Sequence, residues 1–584
     1  MYDVIIRNGF IADGTGRDAY KADIAVSGDR IARIGDLSGE TAKKEIDAAG
    51  RYVTPGFIEP HSHTDLSVLF WPQMTNYLEQ GVTTTVGGNC GHSYGPIGDE
   101  LYRAAIVDTK VGFEVSGEYF SNVTLLMPKE PAGKALKKHY GVDLDWHSFG
   151  EYIDKCNRAG MCANIVPLAG YSAIRGSVMG LDCCREATPE ELDRIEALTE
   201  QCMQEGAFGL STGTDPNYVP GPFATKEETV RMLKVVARYG GIFASHTRNY
   251  DMASGTPDRM GGYHDMLEEA LEAGVRANVS HVHTLGMGTN DEENAAAARD
   301  TLAYFEEMAA KGLDLSYDVI PSPYSMDLTV PYFAAFLRPF VLFAGGRHQL
   351  AEPLRAKDVR RMIHAVVDAG LYPVLDPKFQ MGNIYPILTV SRHRSCPEAI
   401  GLSLLEWTNK TGADPLDAVL DLFAADPDMG CDMALPDAVT ANEILCRHPM
   451  AMPCADGFSG DKDTDFGITG DLAMLANPMN LSCMIRWLLL HGKERFEDSV
   501  RQITSYPAER FGIPDRGTLA EGCFADIVVL NRDALKSHDR EENPLQYPEG
   551  IDYVFVNGQL TIDHKVQIPG VMAGRMLKKS PCCL

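Results

Sequence analysis

The chain begins and ends with short runs in which apolar and polar positions alternate, and turn residues close these runs. The runs are Val4–Ile6 before a turn at Asn8-Gly9, Asp23–Val26, Arg30–Ile34, Ala525–Leu530, and Tyr553–Val556 before Asn557-Gly558. Each is typical of a β-strand, and Asn-Gly is a strong hairpin signal. A few strands alone would leave an apolar face uncovered. We therefore expect residues 1–54 and the C-terminal part of residues 481–584 to build one small β-sandwich.

Between residues 55 and 480 the pattern changes to apolar β-type runs that alternate with helical stretches, such as 190–205, 226–239 and 291–310. The candidate strands end near Glu59, Val86, Pro167, Leu210, Ala244, Val279, Val319 and Pro453. Eight such units predict an α/β protein with a (β/α)8 barrel, whose chemistry lies at the C-terminal ends of the strands.

Two stretches of the middle region are too long to be simple connections between a strand and a helix. They run from about 94 to 160 and from about 331 to 447, and we predict that both are insertions covering the barrel mouth. The first residues of the 481–584 segment are then expected to supply helices that close the barrel.

Charge and composition exclude several classes of function. With 53 Lys and Arg against 81 Asp and Glu, the 584 residues carry a formal net charge of -28, which disfavours a nucleic-acid partner. No stretch approaches the roughly 20 apolar residues of a membrane span, and the first residues are too charged for a signal peptide. The 14 irregularly spaced cysteines fit free thiols in a reducing compartment. We expect a cytoplasmic protein with a small-molecule substrate, and the oligomeric state stays open.

His61 and His63 follow the first candidate strand of the barrel. Residues i and i+2 of a strand point to the same face, so the two imidazoles can converge on one metal ion. The alternative is a chance His-x-His pair on a surface loop.

Cys90 follows a β-branched strand that breaks at Gly87-Gly88. A thiolate in that position is a soft ligand that favours zinc over magnesium or calcium. The alternative is an ordinary buried cysteine that packs as a small apolar residue.

His246 and His281 occupy equivalent positions after two consecutive strands, each preceded by serine. Both are candidate metal ligands, and His283 is a competitor of His281. The alternative is a pair of polar residues at the barrel rim.

Asp456 follows the last candidate strand, where a carboxylate can accept a proton from an attacking water and return it to a leaving group. An Asp-Gly pair is otherwise a common turn.

These residues carry a resemblance to a known family. The run 55–63 resembles the hallmark of the amidohydrolase superfamily, and 86–91 resembles its D-aminoacylase branch, the N-acyl-D-amino-acid deacylases. Further similar stretches occur nearly end to end, at 206–213, 218–221, 245–249, 317–321, 504–512 and 515–517.

The resemblance implies a set of roles. One zinc would be held tightly by Cys90, His246 and His281, a second and weaker metal site would use His61 and His63, and Asp456 would be the general base and acid. Related enzymes use a carboxylated lysine on the fourth strand to bridge two metals. The stretch 206–213 has no lysine, and Cys90 is the expected substitute.

The sequence departs from the branch at two places. The branch has an arginine for the substrate carboxylate soon after the catalytic aspartate, whereas residues 457–467 contain none. The third strand has Gly170-Tyr171 where relatives tend to have Gly-His. Arg248, Tyr218 and Lys462 are the candidate substrate-binding residues. The acidic run around Lys462 could select a cationic substrate or be a solvated loop.

Together these features predict a zinc-dependent hydrolase of a linear amide, such as an N-acyl-D-amino acid. One alternative is a cyclic-amide hydrolase of the hydantoinase or dihydroorotase type, against which the missing lysine argues. Another is a non-catalytic scaffold that keeps the fold, although such proteins lose the metal ligands. The acyl group, side chain and chirality of the substrate stay open.

Overall fold

The computed structural model combines a parallel barrel with a sheet made from both ends of the chain. It describes residues 1–580 except 106–108, 117–123, 216–217, 249–257, 259, 283–289, 323–327, 331–336, 338–339, 342–343, 346, 371–374, 378–383, 434–438, 465–477 and 540–545. Within these residues, none of the helices has the length and apolar character needed to cross a bilayer.

Nine strands from the two ends of the chain form one sheet. They are Tyr2–Ile11, Tyr20–Ser27, Arg30–Gly35, Ala42–Asp47, Tyr52–Pro55, Ile527–Leu530, Ile551–Val556, Gln559–Asp563 and Val566–Gln567. The two ends meet where Tyr52–Pro55 pairs antiparallel with Ile527–Leu530. The alternating apolar side chains of both ends, including Ile6, Ile24 and Val529, share one buried core. The joint terminal domain that the pattern predicted is therefore confirmed.

The predicted turn at Asn8-Gly9 is wrong. The strand continues from Tyr2 to Ile11, and its register against the next strand shifts between Ile6 and Gly9. Asn8 has a positive φ of 62°, a left-handed conformation that asparagine tolerates better than most residues. The Asn-Gly pair thus makes a β-bulge within one long strand.

The barrel contains eight parallel strands, called here barrel strands one to eight. In order they are Phe57–Glu59, Val82–Gly87, Asn164–Pro167, Gly209–Gly213, Ile242–His246, Arg276–Val279, Leu315–Val319 and Ala451–Pro453. A backbone hydrogen bond from Phe208 to Pro167 joins strands three and four, and a parallel bridge between Ser62 and Gly457 closes the ring. All eight candidate strand ends fall within or beside these strands, which confirms the (β/α)8 prediction.

Helices surround the barrel and build the insertions. Their bounds are Thr64–Ser67, Thr75–Leu78, Thr109–Ser116, Lys129–Tyr140, Phe149–Ala159, Tyr171–Met179, Pro189–Glu205, Lys226–Arg238, Gly261–Ala273, Asp291–Ala310, Arg347–Ala351, Lys357–Asp368, Ile384–Ile387, Leu404–Thr411, Pro415–Ala425, Val439–Arg447, Met479–His491, Phe496–Gln502 and Ser505–Phe511. Ala508 and Phe511 of the last helix pack with barrel-strand residues such as Ile58 in one apolar cluster. This helix therefore helps to fill one end of the barrel.

Two segments outside the barrel repeat carry additional structure. The first contains an antiparallel pair, Leu101–Ala105 with Thr124–Pro128. The second contains a three-stranded sheet of Leu328–Val330, Leu388–Arg392 and Gly430–Met433, next to an apolar cluster of its own. The antiparallel pair matters for the site described below, because its first strand carries Arg103.

Candidate metal centre

Cys90 lies at the centre of a cluster of imidazoles. Its Sγ atom is 3.3 Å from Nε2 of His61, 3.8 Å from Nδ1 of His246 and 3.5 Å from Nε2 of His281. Nδ1 of His246 and Nε2 of His281 are 2.7 Å apart. Strands one, two, five and six of the barrel thus deliver four potential metal ligands to one point at their C-terminal ends.

A second group shares Cys90 and adds His63 and Asp456. Oδ1 of Asp456 is 3.3 Å from Nε2 of His61 and 3.2 Å from Nε2 of His63. The ligand atoms of His61, His63, Cys90 and Asp456 all lie within 4.8 Å of one another, as do those of Cys90, His246 and His281. The geometry therefore contains two adjacent groups of ligand atoms with one sulfur between them.

Three side chains of the cluster sit on strained backbone. Cys90, His281 and Asp456 have φ values of 55°, 32° and 52°. A positive φ is uncommon for residues other than glycine and costs about 1–3 kcal/mol, and such strain concentrates at functional sites. Each of the three follows the end of a barrel strand, where the chain must turn sharply to aim the side chain at the axis.

Asp318, at the end of the seventh strand, positions two of the imidazoles. Its Oδ1 atom lies 3.1 Å from Nδ1 of His61 and accepts a hydrogen bond from the backbone N–H of His281 at 2.6 Å. Its Oδ2 atom accepts a hydrogen bond from Nδ2 of Asn278. A carboxylate behind a histidine ligand fixes the ring orientation and raises its basicity.

Glu59 links the first strand to the eighth from a fully buried position. Its Oε1 atom accepts hydrogen bonds from the backbone N–H groups of His61, at 3.3 Å, and Ala455, at 3.0 Å. Burial raises its pKa well above the usual value. Glu59 therefore holds together the segments that carry His61 and Asp456.

Opposite charges inside the cluster together have a larger effect on the pKa values of Cys90 and Asp456 than burial has. Burial alone would raise the pKa of the Cys90 thiol, but the charge of His61 and hydrogen bonds from His246 and His281 hold it well below its usual value. Burial would also raise the pKa of Asp456, yet the His61 charge and the nearby ring nitrogens of His61 and His63 keep it far below normal. The Asp456 side chain is thus ionised at neutral pH, and the lowered pKa of Cys90 favours its thiolate, the forms in which each can bind a cation or accept a proton.

The donor set fits a zinc ion. Thiolate and imidazole are the ligands that zinc prefers, and three protein ligands leave a position open for substrate. The Oδ1 atom of Asp456 is buried and has no partner in hydrogen-bonding geometry, although two ring nitrogens lie nearby. Buried donor atoms from separate strands that converge on one point, with a carboxylate oxygen left unpaired, are what a metal site requires.

The structure adds His92 to this centre, which the sequence patterns did not single out. Its ring lies 5.7 Å from that of His63 and 5.2 Å from that of Tyr218, between centroids. A guanidinium N–H of Arg103 donates to Nδ1 of His92 at 2.5 Å, which places the imidazole proton on Nε2. Burial and the Arg103 charge hold the pKa of His92 well below its usual value. His92 thus offers a neutral N–H donor that is buried and unpaired.

The candidate substrate-binding residues have different surroundings. The ring of Tyr218 lies 4.1 Å from that of His246, so Tyr218 borders the cluster. The guanidinium of Arg248 pairs with Asp258 at 2.9 Å and Asp265 at 2.8 Å. Lys462 is partly exposed and pairs with Asp463 at 2.7 Å. His283 lies outside the described residues. Tyr218 is thus the candidate whose ring lies against a residue of the cluster.

Comparisons with known sequences place these residues in a wider group. Residues 44–395 and 463–562 match the amidohydrolase family. A D-aminoacylase of Alcaligenes xylosoxydans xylosoxydans is 28% identical, over 99% of this chain and 98% of its own length. An N-acyl-D-glutamate deacylase of the same organism is 26% identical, over 99% and 96%.

A solved structure shares the whole architecture. The N-acyl-D-glutamate deacylase of Bordetella bronchiseptica, in complex with zinc and a phosphonate inhibitor that mimics the tetrahedral intermediate, superposes with a TM-score of 0.67. It is 23% identical, and the match covers 99% of both chains. At that identity the likeness supports the fold alone.

Proposed function

Because this chain belongs to the amidohydrolase family, we propose that it is a zinc-dependent hydrolase of a linear amide, which cleaves an N-acyl-D-amino acid to a carboxylate and a free amine. The observation that carries this proposal is the position of the Cys90 thiolate, in contact with His61, His246 and His281 at the C-terminal end of the barrel.

The relatives support the substrate class. Full-length relatives include a D-aminoacylase, an N-acyl-D-glutamate deacylase and an N-acyl-D-aspartate deacylase. All three names denote enzymes that cleave the same kind of bond, an open-chain amide between an acyl group and an amino acid of D configuration. The same chemistry suits a site that combines a cysteine, several imidazoles and the Asp456 carboxylate.

The two groups of atoms support the ligand assignment that the family resemblance implies. Cys90, His246 and His281 would hold the tightly bound zinc, and His61 and His63 would contribute a weaker second site that shares the sulfur. When bound, zinc supplies electrophilic polarisation of the amide carbonyl and makes the attacking water more acidic.

Asp456 would move the proton. Its pKa is held well below the usual range, so the carboxylate is ready to accept a proton from water at neutral pH. The two neighbouring imidazole nitrogens, at 3.2 and 3.3 Å, orient the carboxylate. After attack, Asp456 would return the proton to the departing amine nitrogen, since an amine leaves far more easily than an amide anion.

His92 and Tyr218 would shape the rest of the site. The unpaired Nε2–H of His92 can donate to an oxygen of the substrate, and the ring of Tyr218 covers one side of His246. Both residues are buried, so they also keep water away from the reacting amide.

The proposal is tested by substrate selectivity and by one substitution. We expect the purified zinc-loaded protein to release free amine from N-acetyl-D-amino acids, and to act weakly on the L-isomers and on hydantoins. Asp456→Asn should lower kcat by about 10²- to 10⁴-fold, because it removes the proton acceptor. Zinc content should stay unchanged, since the tightly bound ion does not need this carboxylate.

Two results would contradict the proposal. If the wild-type protein hydrolyses hydantoins but no open-chain amide, the substrates of the site are cyclic amides and the proposal is wrong. Near-normal turnover by Asp456→Asn at full zinc content would remove Asp456 from the reaction.

A further inference from the structure

Arg103 is a buried arginine beside the metal centre that faces no carboxylate in the part of the chain that the structure describes. Its residue is 9% exposed, and among the described residues it forms an ion pair with neither an aspartate nor a glutamate. Burial lowers the pKa of its guanidinium to about 9, which leaves it charged at neutral pH. A buried cation without an anion is costly and is a feature of binding sites more than of cores.

The hydrogen bonds of Arg103 fix its orientation and leave one nitrogen free. Nε donates to the carbonyl oxygen of Val219 at 3.2 Å, and Nη1 donates to that of Gly91 at 3.2 Å and to Nδ1 of His92 at 2.5 Å. Nη2 is buried and has no partner. By contrast, the fully buried Arg175 forms an ion pair with Glu228 at 2.8 Å.

A second unpaired donor lies next to this guanidinium. The backbone N–H of Ser172 donates to the carbonyl oxygen of Gly91, the same atom that accepts from Arg103. The Oγ atom of Ser172 is buried and unpaired. Arg103 and Ser172 line a common cavity. Two orphaned donors, one of them positively charged, thus belong to residues that border the same cavity, and such a pair of donors is suited to an anion.

The cavity is close to the metal centre through two short connections. Gly91, whose carbonyl oxygen Arg103 contacts, directly follows Cys90. His92 links Arg103 to the rings of His63 and Tyr218. Arg103 is therefore separated from the ring of His63 by one imidazole, that of His92.

We propose that Arg103, assisted by Ser172, binds the carboxylate of the substrate. This inference rests on the proposed function, because it assigns the binding partner of the same amide substrate. The free Nη2–H and the Ser172 hydroxyl donate to the carboxylate oxygens, and the guanidinium neutralises the charge in a site screened from water. The antiparallel pair that begins at Leu101 then supplies the arginine that residues 457–467 lack.

Matched acid and amide substrates test the assignment. N-acetyl-D-methionine is compared with its α-carboxamide, and N-acetyl-D-glutamate with N-acetyl-D-glutamine, in wild type and in Arg103→Gln. We expect wild type to prefer the acid in at least one pair, and the substitution to lower kcat/KM for that acid by about 10- to 100-fold more than for its amide, which shares any loss that arises through His92. The first pair reports binding of the α-carboxylate and the second reports binding of a side-chain carboxylate.

Two further variants separate recognition from folding. Arg175→Gln removes a buried arginine that already forms an ion pair, so any loss of kcat/KM should be equal for the acid and its amide. Ser172→Ala keeps the Arg103 guanidinium in place and should reduce the preference for the acid over its amide by about 3- to 10-fold. This variant preserves the test if Arg103→Gln does not fold.

The outcomes distinguish this inference from the function on which it rests. Equal losses for acid and amide in both Arg103→Gln and Ser172→Ala would overturn the role of Arg103 and leave the hydrolase intact. A wild type that prefers neither acid over its amide would also overturn the role of Arg103 and leave the hydrolase intact. A zinc-loaded wild type that hydrolyses no N-acyl compound would overturn both.

Discussion

Cys90 is the residue on which both groups of ligand atoms depend. It is fully buried, and three imidazole nitrogens lie within 3.8 Å of its sulfur. At Cys202 and Cys446 burial raises the pKa of the thiol because it disfavours the thiolate. At Cys90 the neighbouring imidazoles reverse that direction.

We expect Cys90→Ser to lower zinc affinity by at least about 100-fold, since a serine hydroxyl replaces the thiolate ligand. Zinc retained after dialysis against a chelator, measured by elemental analysis, checks this. Cys202→Ser is the matched control, because Cys202 is buried in the helix Pro189–Glu205, and it should retain zinc like wild type. Equal retention by the two variants would remove Cys90 from the metal site.

The sequence was informative where a residue's role follows from its place at a strand end. The positions of His61, His246 and Asp456 follow from strand periodicity and barrel geometry alone. His92 and Arg103 could not be found in that way, because their approach depends on the tertiary path of the segment after Cys90. Asp318 carried a local signal, at the end of the seventh strand, but its role behind His61 needed coordinates.

The turn after the second barrel strand is the element that aims Cys90. Gly88 has a φ of 79°, and a Cβ atom there would lie 2.1 Å from the carbonyl oxygen of Leu168. The backbone N–H of Gly88 also donates a hydrogen bond to Oδ1 of Asp65 at 2.7 Å, which helps to fix the turn. Glycine is therefore required both by conformation and by the close approach of strand three.

Gly88→Ala should destabilise the protein by about 3 kcal/mol and weaken zinc binding, because the clash shifts the turn that carries Cys90. Gly141→Ala is the control: it has a similar φ of 71° and open space around it, so strain alone should cost about 1 kcal/mol. Urea unfolding and zinc titration measure the two effects. If both variants behave alike, the close packing at Gly88 has no part in building the site.

Element types were predictable from periodicity to a greater extent than element boundaries. Asp291–Ala310 forms the helix that its pattern predicts. The Asn8-Gly9 signal was misread because a turn and a bulge use the same left-handed conformation, and only the partner strand decides between them.

At the scale of the whole molecule, a buried polar network joins the terminal sheet to the barrel. Arg516 pairs with Asp526, and it donates to Oδ1 of Asn557 at 2.8 Å. Asn557 in turn donates to Oδ1 of Asn164, on the third barrel strand, at 2.8 Å. All four side chains are buried. The network couples residues that are far apart in sequence, so no local pattern could reveal it.

Asp526→Ala should lower the free energy of unfolding by about 3–5 kcal/mol, because it leaves the Arg516 charge buried and unpaired. Asp154→Ala removes the partner of Lys578 in an exposed pair and should cost less than about 1 kcal/mol. Chemical denaturation of the two variants gives both values. A cost for Asp526→Ala as small as that of the exposed pair would show that the network does not hold the domains together.

The most direct test of the metal centre is zinc X-ray absorption spectroscopy of the purified protein. We predict a first shell with one sulfur at about 2.3 Å and nitrogen or oxygen atoms at about 2.0–2.1 Å. The sulfur contribution should disappear in Cys90→Ser reloaded with zinc. A wild-type spectrum with nitrogen and oxygen neighbours only would contradict the account, since the thiolate would then not touch the metal.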